Sequence, residues 1–163
     1  DAGSDQLKQE VLPSVASGQR ILSFAQTEPD YGWGPESVNL AATKKNGSFV
    51  LNGTKLFIPD AQVADQIVLV ARTSTGASPD QGITLFLVNK NTPGVSTRII
   101  KGWTGDKLNE ITFENAEVPA SSVIGQVDGG WPTVERVLDR AGIIQCAYIV
   151  CLCCGDTFMS KKI

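Results

Sequence analysis

The chemistry open to this sequence is limited first by a missing residue type, since none of its 163 residues is a histidine. Histidine is the commonest general base and the commonest metal ligand in proteins. Acid–base chemistry must therefore depend on carboxylates, lysine, tyrosine or cysteine.

The four cysteines lie within one short segment, at Cys146, Cys151, Cys153 and Cys154. Cysteines placed this way cannot link distant parts of a fold. Cys151 and Cys154 form a C-x-x-C pair, but no second pair and no histidine completes a zinc-binding set. We expect all four to be small buried hydrophobic side chains of a protein from a reducing compartment, and we expect no metal site.

The composition is typical of one globular domain, with 42% hydrophobic and 19% charged residues. The net charge is −3, and no long basic run is present, which argues against a nucleic-acid partner. The first residues show no basic region followed by an apolar stretch, so we expect no targeting segment in this chain.

The elements that must position any reactive group are mostly strands. Asn46-Gly47 separates two strand-like runs and predicts a tight hairpin turn, because a type I′ turn needs positive φ at both central residues. Asn52-Gly53 predicts a further reversal or bulge. About seven short strands separated by Gly, Asn and Pro predict a mainly β fold, an antiparallel barrel or sandwich. The predicted strands cover residues 21–26, 37–45, 49–52, 55–58, 66–72, 82–89, 95–101 and 110–114.

Helical patterns flank the strands. Residues 4–18 predict a short helix, with Ser4 or Asp5 as its cap. A longer helix is predicted after Gly129-Gly130, and its segment 141–154 carries no charge. That segment is shorter than the roughly 20 residues that cross a bilayer, so we expect no membrane contact. A helix that is apolar on all sides is buried in a larger body, so we expect the chain to be cut from a larger protein or to associate through this helix.

Three short motifs occur in a specific order: T-E-P at 27–29, N-G-x-K at 52–55 and F-E-x-x-x-V-P at 113–119. Each is weak alone, but together they make the chain strongly resemble the acyl-CoA dehydrogenase family. By this resemblance, residues 1–19 are the end of an N-terminal helical domain and 20–127 a middle β domain. Residues 128–163 are then the truncated first helix of a C-terminal helical domain.

The resemblance also implies a reaction. Members of the family use FAD to remove the α-proton and the β-hydride of an acyl-CoA thioester, which gives 2-enoyl-CoA. Electrons usually pass to an electron-transferring flavoprotein, and the enzymes are homo-oligomers, dimers or tetramers. The expected location is the bacterial cytoplasm or the mitochondrial matrix.

The resemblance assigns one edge of the flavin to Phe24, Gln26 and Thr27, because a flat ring with a polar edge needs fixed donors and acceptors. The alternative is that T-E-P simply ends a strand. Next come Gly32 and Trp33, where Trp33 replaces the serine that helps to hold the pyrophosphate and the thioester end of the substrate. Either the indole closes this path, or it turns away and backbone N–H groups serve.

The resemblance places Phe57 and Ile58 behind the flavin ring, where an aromatic face suits stacking. Pro59 takes the place of a threonine whose hydroxyl serves the flavin N5 region, and proline has no N–H to offer instead. The alternative for Phe57 and Ile58 is an ordinary core strand.

Arg140 matches an arginine near the acyl-CoA in many relatives, and Asp139 is a weak candidate for the catalytic base. Asp139 also fits a solvated or capping carboxylate. Most members carry the main base far downstream, so we expect it beyond Ile163 and expect this chain to be inactive alone.

The functional hypothesis is therefore a fragment of an FAD-dependent acyl-CoA dehydrogenase. Two alternatives stay open. One is a cofactor-poor structural subunit of a mixed oligomer, suggested by Trp33 and Pro59, which remove two hydroxyls that would face the flavin. The other is a related acyl-CoA oxidase or flavin monooxygenase.

Overall fold

The computed structural model describes residues 2–102 and 105–159, with the backbone alone for 152–159. Within these ranges the chain forms eight strands, with one helix before them and one after. This confirms the predicted mainly β fold with a short N-terminal and a longer C-terminal helix. The elements are α1 Asp5–Ala16, β1 Leu22–Ala25, β2 Ala41–Lys45, β3 Ser48–Pro59, β4 Gln66–Arg72, β5 Ile83–Asn89, β6 Val95–Lys101, β7 Lys107–Pro119, β8 Val123–Ile124 and α2 Trp131–Met159.

The N-terminal helix begins and ends as its sequence predicts. The hydroxyl of Ser4 accepts a hydrogen bond from the N–H of Leu7 at 3.2 Å, which satisfies one of the free donors of the first turn. Gly18 follows the helix with φ of +73°, a conformation that costs glycine little. Pro13 lies inside the last turn and does not end the helix.

The hairpin between β2 and β3 turns at Asn46 and Gly47, which have φ of +49° and +84°. This confirms the predicted turn. β3 then runs unbroken to Pro59, whereas the sequence predicts two short strands. The break at Asn52-Gly53 is a bulge, since the pairing with β7 shifts register between Leu51 and Gly53. A second shift lies between Lys55 and Ile58.

The strands form a sandwich and not a closed barrel. The sheet order is β6-β7-β3-β2-β4-β5-β8, and β1 pairs with β4 in parallel. β2 and β4 share only the pair Ala41 and Arg72, so the sheet folds over at this point into two packed halves. Phe49 of β3 meets Phe86 of β5 edge to face at 5.1 Å between the two halves. Buried residues from both halves form one hydrophobic core.

The chain divides into two compact units, Asp1–Trp131 and Pro132–Ile163. In the second unit the side chains of 139–151 are exposed, with Ile143 and Ile144 at 71% and 69%. Cys146 and Cys151 are also exposed, whereas the sequence predicts that they are buried. The side chains of a helix project outward and become buried only where other elements pack against them. The side chains of Cys153 and Cys154 lie outside the described part. No helix in the described residues is long and apolar enough to cross a membrane.

Candidate functional site

The residues assigned to the flavin edge come together where β1 ends beside β3. The chain leaves β1 after Ala25, and the carbonyl of Thr27 then accepts a hydrogen bond from the N–H of Leu56 at 2.8 Å. Phe24 on β1 and Phe57 on β3 therefore belong to the same region. The T-E-P motif begins two residues after the end of β1 and is tied to β3 through the carbonyl of Thr27.

A bulge in β3 decides which side chain faces outward here. Regular alternation after the buried Phe49, Leu51 and Lys55 would send Phe57 inward. Phe57 instead has φ of +56°, and the register shifts between Lys55 and Ile58. Phe57 is consequently 39% exposed, while Ile58 lies in the core at 2%. Of this predicted pair, Ile58 is a core residue and only Phe57 presents its ring at the surface.

A buried ion pair lies directly beneath this edge. The Lys55 ammonium lies 2.7 Å from the Glu28 carboxylate and donates a second hydrogen bond to the carbonyl of Gln26 at 2.8 Å. Lys55 has no exposed side-chain surface, and Glu28 has 6%. Burial is the main reason that the pKa of Lys55 falls from 10.5 to about 8, although the charge and hydrogen bond of Glu28 favour the charged form.

Glu28 also closes the loop that follows it. Its carboxylate accepts hydrogen bonds from the N–H groups of Asn39 and Leu40, each at 3.0 Å. Backbone donors of this kind are suited to a buried carboxylate because they satisfy its remaining lone pairs. One side chain therefore joins the two ends of the segment 28–40.

The same loop carries Trp33, whose indole is 71% exposed. Its carbonyl accepts a hydrogen bond from the buried side-chain amide of Gln26 at 3.1 Å. The backbone is thus held inward while the indole is exposed at the surface. Tyr31 stacks on Phe57 with 5.8 Å between ring centroids.

Gly32 is required by close packing in this loop. A Cβ atom at this position would lie 2.4 Å from the Cβ of Ser37, a distance that no packed side chain tolerates. The close approach of Ser37 therefore explains why position 32 is a glycine, whether or not Gly32 also contacts a cofactor.

Pro59 contributes no donor to the edge, as its sequence implies. Its ring is exposed, and its carbonyl already accepts a hydrogen bond from the hydroxyl of Ser23 at 2.7 Å. The hydroxyl of Thr27, in contrast, has no hydrogen-bond partner within the described residues and lies partly exposed. The edge thus offers a hydroxyl at Thr27 and an aromatic face at Phe57, and it lacks the second hydroxyl expected at 59.

These groups fit one edge and one face of a flavin. The side-chain N–H₂ of Gln26 donates to the carbonyl of Trp33, and its backbone carbonyl accepts from Lys55, so both groups support the loop. Asp139 and Arg140 lie on α2, in the second unit, and both are exposed.

Sequence reasoning named the motifs that contain Glu28 and Lys55 but gave neither residue a role. A signal was present, because Lys55 shares strand parity with Phe49 and Leu51 and is therefore predicted to face inward. A lysine on the inner face of a strand requires a buried acid. Arg72 was missed too, and it donates to the carbonyls of Pro35 and Val38, each at 2.7 Å.

The family model for the acyl-CoA dehydrogenase middle domain matches residues 23–116. An acyl-CoA dehydrogenase of Bacillus subtilis is 39% identical over 79% of this chain, and a mitochondrial isovaleryl-CoA dehydrogenase of Pongo abelii is 36% identical over 87%.

Solved structures with acyl-CoA dehydrogenase names are also similar to this chain. An acyl-CoA dehydrogenase from Geobacillus kaustophilus aligns with 83% of this chain at 30% identity and a TM-score of 0.78, over 37% of its own chain. A glutaryl-CoA dehydrogenase from Mycobacterium smegmatis in complex with FADH2 aligns with 78% of this chain at 33% identity and a TM-score of 0.69, over 32% of its own chain.

The sandwich with its polar loop edge is therefore the middle β domain of a class of oxidoreductases. The chain belongs to the acyl-CoA dehydrogenase family, which confirms the resemblance stated from the motifs. It spans about a third of the length of the curated relatives it matches, 35% and 34% of the two named here.

Proposed function

We propose that this chain is part of an FAD-dependent acyl-CoA dehydrogenase and supplies one edge of its flavin site. The observation that carries the proposal is the pairing of a free hydroxyl, on Thr27, with an outward aromatic ring, on Phe57, at the junction of β1 and β3. The complex of a structural neighbour with FADH2 supports the choice of cofactor.

In this proposal the chain's own residues bind and orient. Thr27 offers its hydroxyl to the polar edge of the ring, and Phe57 offers an apolar face. The indole of Trp33 is exposed, so in this proposal backbone groups of its loop, and not the indole, contact the cofactor. FAD, when bound, supplies the electron acceptor for the hydride that leaves the acyl chain.

The remaining machinery of the reaction is proposed to come from outside the described residues. We place the main base, much of the FAD site and the acyl pocket in the part of the full-length protein that this chain does not supply, so we expect no turnover from the 163 residues alone. Asp139 as base and Arg140 as a substrate contact stay predictions. So do the electron-transferring flavoprotein as partner, the homo-oligomer, and a cytoplasmic or mitochondrial matrix location.

The test is titration of the full-length apoprotein that contains this chain with FAD, followed by flavin fluorescence, because much of the FAD site is proposed to lie outside the 163 residues. The wild type should bind, and Phe57→Ala and Thr27→Val should each weaken binding about tenfold, since each removes one contact of about 1 kcal/mol or more. Ile99→Ala, an exposed apolar truncation on β6, is the matched control and should leave binding unchanged. Equal affinity in all four proteins would reject the proposed edge.

A second candidate is a cofactor-poor partner subunit, favoured by the loss of a donor at Pro59 and by the indole at Trp33. The visible absorption spectrum of the full-length gene product separates the two, because a stoichiometric flavin band is incompatible with a subunit that lacks cofactor. Oxygen consumption with acyl-CoA would instead identify an oxidase.

A further inference from the structure

The loop 28–40 lies in the connection from β1 to β2. It carries exposed aromatic side chains, while its backbone is hydrogen-bonded to side chains of the sandwich. Tyr31 and Trp33 point outward and are both well exposed. Their exposure is compatible with a mobile loop, but the backbone beneath them is held by buried charged groups. Two sets of side-chain hydrogen bonds hold the loop backbone in place.

The first anchor is the Lys55–Glu28 ion pair. Glu28 receives the N–H groups of Asn39 and Leu40, at the far end of the loop, while Lys55 holds both Glu28 and the carbonyl of Gln26. A single buried pair therefore connects β3 to the beginning and to the end of the loop.

The second anchor is Arg72 on β4. Its guanidinium donates to the carbonyls of Pro35 and Val38 within the loop, and to those of Pro79 and Gln81 outside it. The two anchors act on different groups, since Glu28 takes N–H donors and Arg72 takes carbonyl acceptors. The loop backbone is thus held through its N–H groups by one anchor and through its carbonyl groups by the other.

Net stability does not explain the first anchor. Taking two charges out of water costs several kcal/mol per ion, and a well-packed apolar pair of similar volume often serves stability as well or better. An apolar pair, however, cannot hold two N–H groups and a carbonyl at defined positions. The Lys55–Glu28 pair is suited to fixing a geometry.

The geometry that it fixes includes the peptide between Gln26 and Thr27. The carbonyl of this peptide is the acceptor of the Lys55 ammonium, and its N–H belongs to Thr27, the residue that carries the free hydroxyl. A charge-assisted hydrogen bond restricts rotation of the peptide and polarises its N–H.

We propose that Lys55 and Glu28 are positioning residues that hold the Gln26–Thr27 peptide and the loop 28–40 in the form that receives the cofactor, without touching it themselves. The link to the cofactor rests on the proposed function, whereas the link to the loop does not. The two links are therefore tested by separate measurements.

The experiment compares Glu28→Gln, Lys55→Met and the double variant with wild type by hydrogen exchange of the 163-residue chain. Exchange of amides in 26–40 should accelerate about tenfold or more, while β4 and β7 keep their protection. FAD affinity, measured on the same variants of the full-length protein, should fall about tenfold. The double variant removes both charges and remains available if a single variant does not fold.

Two controls isolate the loop from general destabilisation. Glu110→Gln makes the same change in the exposed Arg98–Glu110 pair and should alter neither readout. Ile111→Val weakens the core of β7 and should lower stability without accelerating exchange in 26–40.

Uniform acceleration across all strands, or none in 26–40, would show that the pair serves the core alone and would overturn the proposal. Absence of FAD binding by the wild type would reject the proposed flavin edge, and the exchange data would still decide whether the pair positions the loop.

Discussion

Two regions of this chain expose large apolar side chains to a similar degree, and they differ in what lies underneath. Trp33 on the loop and Ile143 on α2 are both 71% exposed. The loop backbone is tied to Gln26 and Glu28, which follow the end of β1, and to Arg72 on β4. The α2 backbone satisfies its own hydrogen bonds within the helix, as every α-helix does. Exposure with tertiary anchoring is typical of a preorganised binding edge, whereas an unanchored apolar helix face is typical of an interface.

The sharpest contrast is expected from truncating one apolar side chain in the core and one on α2. Phe86→Ala removes a buried ring from the meeting of the two sheet halves and should lower the free energy of unfolding by about 3–5 kcal/mol. Ile144→Ala should change it by less than about 0.5 kcal/mol, because its side chain is already exposed. Urea unfolding followed by circular dichroism measures both, and a large loss in Ile144→Ala would contradict the exposure of its side chain.

The next effect concerns the buried charge. Lys55→Met leaves the Glu28 carboxylate buried without its cation and should cost about 3 kcal/mol, near the low end for a broken buried pair because two backbone N–H groups remain. Adding Glu28→Gln should recover part of this loss by removing the second charge. A double variant less stable than Lys55→Met would contradict the pairing.

The same lysine predicts a pH dependence. Burial holds the pKa of Lys55 at about 8 in the folded chain, against 10.5 when it is exposed. Below pH 8 both states are protonated, and the cost of burying the charge is fully present. Between pH 8 and 10.5 the unfolded chain binds more protons, so the free energy of unfolding should rise with pH by about 1–3 kcal/mol. Lys55→Met is the reference, and a difference that stays flat across this window would argue against the shift.

The smallest effects should have opposite signs in the two units. Gly47→Ala places a Cβ at φ of +84° in the hairpin turn and should cost about 1 kcal/mol. Gly142→Ala lies within α2, where the new Cβ meets nothing within 4 Å, and should stabilise the helix by up to about 1 kcal/mol. Thermal unfolding of the two variants checks the sign, and stabilisation by Gly47→Ala would contradict the turn.

Much of the fold could be predicted because its signals are local. Ser4 caps α1, the Asn46-Gly47 turn fixes the register of β2 and β3, and β4 and β6 have the bounds read from alternation. The join of 49–52 and 55–58 into one strand could not be read, because Gly53 suits a bulge as well as a turn. The sequence predicts its last strand at 110–114, whereas pairing with β3 extends β7 from Lys107 to Pro119.

The candidate site was predicted in part. The motifs named Thr27 and Phe57 as cofactor contacts, and the structure ties the Thr27 carbonyl to the N–H of Leu56, the residue before Phe57. The sequence treated Phe57 and Ile58 alike. Which of the two faces outward depends on a register shift that is set by the pairing of β3 with β7.

By itself the sequence determined the family and the mainly β fold with its two helices, because these depend on residue types and short spacings. The tertiary structure alone decided that Lys55 meets Glu28 and that Arg72 holds the loop. Partners so far apart along the chain meet only when the sandwich closes. A buried charge is then stable because the fold has brought its partner within hydrogen-bond distance.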